Sequence, residues 1–67
     1  MTFIDGDRVG FYGTADLELD NLTGTVIGQV TKDHYGAHYI VLLDKPYSQY
    51  PWRSIAITEH CIKHLGE

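Results

Sequence analysis

One run constrains this chain more than any other: His38-Tyr39-Ile40-Val41-Leu42-Leu43-Asp44. It is aromatic and β-branched, too short for a core helix, and bounded by Gly36 before it and Pro46 after it, so it reads as a strand. No stretch of twelve or more residues keeps apolar side chains at spacings of three and four, and no long helix is expected. With Tyr39, Val41 and Leu43 turned to the core, Ile40 and Leu42 fall on the outer face, where alternation asks for polar residues. Two covers are available for them. One is the long first loop, through Leu17, Leu19 and Leu22; the other is a second chain, including self-association through Ile40 and Leu42.

Weaker strands surround this one. Arg8-Val9-Gly10-Phe11-Tyr12 places Val9 and Phe11 on one face, and Gly24-Thr25-Val26-Ile27-Gly28-Gln29-Val30 is β-branched and bracketed by glycines. Trp52-Arg53-Ser54-Ile55-Ala56-Ile57 resumes alternation with Ile55 and Ile57 together, and Ile62 to Leu65 forms a short last strand. Between them, residues 13–22 read as a long acidic loop or an irregular hairpin, and residues 33–36 as a turn in which Gly36 can take positive φ. Residues 45–51 form a Tyr-rich connection, with Pro46 and Pro51 unable to donate to a central ladder. Thr58 can cap one tight helical turn over Thr58 to Cys61. The expected fold is all-β: residues 1–67 as one small five-stranded SH3-like barrel, with one short helical turn before the last strand. Closure suits so short a chain, because it leaves few raw sheet edges.

Gly6-Asp7-Arg8-Val9, Gly24-Thr25-Val26-Ile27 and Tyr39-Ile40-Val41-Leu42-Leu43-Asp44, with Ile62 after an acidic turn, resemble the Tudor, KOW and related SH3-like barrels. In those families a "G-D-x-V" strand is followed by "G-x-V" and by "Y-x-V-x-hydrophobic-D". The match spans nearly the whole chain through barrel-forming positions. The passage from Asp44-Lys45 into a Tyr-rich loop is also similar to the small SH3-like accessory subunit of photosystem I, although that family docks through a basic surface. The resemblance implies the fold and a binding role. Peptide-binding SH3 domains carry paired tryptophans at the start of a middle strand, which this chain lacks.

Charge narrows the partner. Five basic residues stand against nine acidic ones, a net charge of -4, and Arg8, Lys32, Lys45, Arg53 and Lys63 form no run. Phosphate backbones are held by clustered cations, so a protein partner is favoured over nucleic acid. The alternative is a nucleic-acid or ribosome-associated binder of the KOW or Tudor kind, with Arg8, Arg53 and the tyrosines as contacts. A single cysteine, Cys61, excludes an internal disulfide and points to a reducing cytoplasm. No apolar run is as long as a membrane span, and Met1 to Asp5 lack the marks of a secretion signal. A cytoplasmic protein with no membrane contact is expected.

Three constellations could carry function. His34 and His38, with His60, Cys61 and His64, are the zinc-ligand candidates, but paired ligand knuckles are missing and no metal is expected. Glu59-His60-Cys61 spells an acid, a base and a nucleophile in adjacent positions, which point in different directions, so no catalysis is expected. Neither a phosphate-cradling loop nor a dinucleotide fingerprint appears, and no cofactor is expected. The third constellation is Tyr47, Tyr50 and Trp52, held between Pro46 and Pro51, assisted by Asp16, Glu18 and Asp20. Rigid aromatics are common interface anchors, yet the same residues could cap the core and shield its mouth, and the carboxylates could simply be solvated. The expected function is non-enzymatic: an accessory or regulatory protein that binds a larger protein or assembly, a role that also suits a viral or mobile-element protein acting on a host complex.

Overall fold

A computed structural model describes residues 3–33, 36–48 and 53–65. The elements, in chain order, are β1 (Arg8–Phe11), α1 (Leu17–Asp20), β2 (Thr23–Asp33), β3 (Gly36–Leu43), β4 (Ser54–Thr58), a 3-10 turn (Glu59–Cys61) and β5 (Ile62–His64). The strands make one antiparallel sheet in the order β4-β3-β2-β1-β5. The five strands and the single turn before the last are those the sequence predicts. As expected, the Thr58 side chain accepts the His60 N–H at the start of that turn.

β2 is the hub. Its first residues pair with β1, Thr25 opposite Arg8 and Thr23 opposite Gly10, and its whole length runs beside β3. A register shift between Val26 and Gly28 inserts Ile27 as an extra residue, and a bulge of this kind bends a strand and sharpens its twist. The bend lets one strand serve both halves of the sheet. Gly24 sits where the halves meet: a Cβ there would lie 2.5 Å from the Leu42 carbonyl oxygen and 2.6 Å from Val41 Cγ1. Only glycine allows β2 to approach β3 that closely. Gly36 opens β3 with φ +107°, the positive value expected of it, and a Cβ there would strike Glu59 Oε2.

The core follows the alternation. Tyr39, Val41 and Leu43 are buried, as are Val9, Phe11, Val26 and Ile62. Phe3 closes one end, its ring meeting Tyr39 edge-on at 5.2 Å while its N–H donates to the Tyr39 hydroxyl oxygen at 3.3 Å. Leu22, Ile55 and Ile57 pack against this cluster from its margin.

Two expectations are corrected. The sheet does not close into a full barrel: among the described residues no ladder joins β4 to β5. The 3-10 turn carries the chain from the outer edge at β4 to the opposite edge beside β1, where Phe11 pairs with Ile62 and Val9 with His64. The long first loop also fails to cover the outer face of β3. Leu19 is drawn into the core, Leu22 packs against it, and Leu17 is 81% exposed. Leu42 therefore stays 44% exposed, with Ile40 half-buried beside it.

Candidate functional site

The two segments singled out from sequence meet in space. Gly13 (φ 67°) and Ala15 (φ 64°) both lie in the left-handed region and turn the chain sharply into α1. A non-glycine residue held there is strained and persists only where its surroundings fix it. Here the surroundings are hydrogen bonds: Thr14 donates from its hydroxyl to Asp20 Oδ1 at 2.6 Å and from its N–H to the same oxygen at 3.2 Å. Asp16 is the N-cap of α1, accepting the Glu18 N–H at 3.0 Å and the Leu19 N–H at 3.3 Å through Oδ1. The single helical turn explains why Leu17 and Leu19 part company, since residues two apart on a helix face opposite ways.

The other oxygen of Asp16 accepts the Tyr47 hydroxyl proton. Glu18 reaches the same loop, where it accepts the Ser48 N–H at 2.8 Å and the Ser48 hydroxyl. The three carboxylates are thus hydrogen-bonded within the protein rather than simply solvated. Asp16 and Glu18 stitch α1 to residues 47–48, and Asp20 ties back to Thr14. Tyr47 is buried, so its ring belongs to the packed interior and its hydroxyl to the stitch. The Tyr47 bond, aided by the two helix amides and opposed by desolvation, holds the Asp16 carboxyl below the ordinary carboxylate range. Tyr50 and Trp52 lie outside the described residues.

Between α1 and β4 runs a cleft of about 580 Å³. One wall is Gly13, Thr14, Asp16 and Leu19; the other is β4 from Ser54 to Ile57. Tyr47 and Cys61 also line it. The sequence reading found the loop wall through Asp16 and Tyr47 but not the β4 wall. Half-buried isoleucines on a short strand look like ordinary core, and only the open edge shows them facing a cleft.

The remaining candidates disperse. The 3-10 turn sends Glu59 toward the start of β3, where it accepts the Ala37 N–H at 3.1 Å. Cys61 Sγ points instead at the Gly13 carbonyl, 3.9 Å away. His64 stacks on Phe3 at 4.3 Å between ring centres, with Nε2 3.0 Å from Asp7 Oδ2. Among the described residues no three of His, Cys, Asp and Glu converge as a metal site; His34 lies outside them. Both arginines proposed as nucleic-acid contacts are engaged internally. Arg8 grips Asp44 with two nitrogens, and Arg53 donates to the carbonyls of Leu43 and Asp44 at 2.9 and 2.6 Å. Arg8 and Thr23 hold the Asp44 carboxyl far below its ordinary range. No described helix is long and apolar enough to cross a membrane. Comparison with family models, curated proteins and solved structures finds no match.

Proposed function

We propose that this protein is a non-enzymatic binding module of the SH3-like kind, an accessory or regulatory protein that docks on a larger protein or assembly. The observation that carries the reading is the cleft between α1 and β4. Its lining is more apolar than polar, with Thr14, Asp16 and Ser54 among the polar groups, and one wall is preorganised by the Asp16–Tyr47 and Glu18–Ser48 bonds. A surface held rigid before docking loses little freedom on binding, which is where affinity is gained. Ile55 and Ile57 supply apolar contact area, and Asp16 with its acidic neighbours supplies charge selection. The internal engagement of Arg8 and Arg53, added to the net charge of -4, speaks against a phosphate backbone as the partner.

The test is a nuclear magnetic resonance footprint of the isotopically labelled chain against the partner recovered by affinity capture from the native cell and then purified. Amide shifts concentrated on residues 13–19, 47–48 and 54–57 support the reading. A footprint confined to Ile27, Val30 and Leu42 would move the working surface to the other face. Binding to nucleic acid with steep salt dependence would replace the reading altogether.

A further inference from the structure

β4 is where the sheet stops, and its outer edge forms one wall of the cleft. Leu43 donates its N–H to the Arg53 carbonyl, and Val41 and Tyr39 stand opposite Ile55 and Ile57. In an antiparallel ladder of that phase, Ile55 and Ile57 turn their backbone groups to β3, while Ser54 and Ala56 turn theirs outward. Among the described residues no strand pairs with that side. Natural edges are commonly blunted by a charge, a proline or a bulge, and Ser54-Ile55-Ala56-Ile57-Thr58 has none of these against β3. The side chains of Ile55 and Ile57 face the core yet remain half-exposed, because no described strand lies beyond them.

Charge describes the missing neighbour. Asp16 is the only charged residue lining the cleft among the described residues, and Glu18 and Asp20 sit on the same helical turn. No Lys or Arg occurs between Arg8 and Lys32. Arg53, at the head of β4, directs its guanidinium to the carbonyls of Leu43 and Asp44. We propose that an extended, basic segment of a partner protein adds to β4 as a sixth strand within this cleft. Its backbone pairs with Ser54 and Ala56. Its core-facing side chains are apolar opposite Ile55, Ile57 and Leu19 and include a Lys or Arg where that face reaches Asp16 of α1. This inference rests on the cleft being the docking surface, and it adds the occupant and the mode of binding.

The experiment pans a phage-displayed library of random peptides against the whole chain. A selected peptide is then resynthesised with a single N-methyl group at each amide in turn. The expected winners carry net positive charge and alternating apolar residues. N-methylation should weaken binding about tenfold at every second amide and leave the intervening ones unchanged, since only alternate N–H groups reach β4. Ala56→Pro, which removes an outward N–H, should weaken binding by a similar factor. The peptide scan decides the matter should that variant fold poorly. Peptides that footprint on the cleft but show a flat N-methyl scan would overturn strand addition and leave the cleft reading intact. Acidic or uncharged winners would overturn the basic occupant. No enrichment, or a footprint elsewhere, would sink both readings. A dimer of the chain alone, lost in Ala56→Pro, would make the occupant a second copy and refute a foreign segment.

Discussion

β5 is three residues long and presents Lys63 and His64 on its surface, whereas β4 is five residues long and uncharged throughout. The side chains of β5 are further engaged. Lys63 Nζ lies 5.9 Å over the Tyr12 ring, and His64 is held between the Phe3 ring and the Asp7 carboxylate. Beside β4, among the described residues, lies a cleft. Short length and a lysine are means by which sheets discourage further pairing, and among the described residues this sheet applies them at one edge only. The pair of edges therefore tells more than either alone. Among the described residues, the devices that blunt β5 are absent from β4, which faces the acidic turn across the cleft.

The largest expected effect removes the comparison altogether. Val41 is fully buried in β3, and Val41→Asp places an unpaired carboxylate where both halves of the core meet. That costs several kcal/mol against a total margin of about 5 kcal/mol, so far-UV circular dichroism should show an unfolded chain. A folded, soluble Val41→Asp protein would contradict the core assignment.

Next come the edges themselves. Ala56→Lys introduces at β4 the kind of residue that β5 already carries, and should weaken binding at the cleft about tenfold or more without lowering the melting temperature appreciably. Lys63→Thr on β5 should leave binding unchanged. Equal losses of affinity from the two substitutions, measured by titration calorimetry, would erase the difference between the edges.

A smaller effect separates the two edges by acid. The carboxyl of Asp7 beside β5 is lowered from 3.8, chiefly by the Ile4 N–H and then by His64, and that of Asp16 beside β4 chiefly by Tyr47. A carboxyl depressed in the folded state adds stability above its ordinary value and loses it as pH falls toward the folded one. Melting temperature should therefore drop as pH falls below 3.8. Tyr47→Phe should flatten that acid limb and lower the neutral-pH melting point by a few degrees, while leaving β5 amide shifts in place. An acid limb unaltered in Tyr47→Phe would mean that the Asp16 bond contributes nothing.

The smallest effect concerns Cys61 and the histidines. Cys61→Ala should change stability by about 1 kcal/mol or less, and chelator treatment should leave the melting temperature where it was. A melting point that falls with chelator and returns with zinc would restore His34, His38, His60, Cys61 and His64 as ligands.

Legibility from sequence followed the physics of each region. The core strands were readable because burial imposes a period of two on Tyr39, Val41 and Leu43, and on Val9 and Phe11. The turn at Glu59–Cys61 was readable because Thr58 advertises its cap. α1 was not: four residues are too few to show helical spacing, and Asp16 signals a cap only when the amides it accepts are known. The stitch from Asp16 and Glu18 to Tyr47 and Ser48 joins positions some thirty residues apart, which no local pattern encodes. The open edge at β4 was hidden for a related reason. Whether a strand has one neighbour or two is a property of the assembled sheet, and Ile55 and Ile57 carry the same alternation in either case.

The pairing of β1 with β5, Val9 opposite His64, has a consequence for how the molecule is made. During synthesis β1 leaves the ribosome well before β5. The β2–β3 hairpin, being local, can form on the emerging chain, whereas Val9, Phe11 and Ile62 can be enclosed together only once β5 is free of the exit tunnel. Nascent chains stalled with β5 still inside the tunnel should thus stay open to protease, and a tether long enough to bring β5 out of it should convert them to the resistant form.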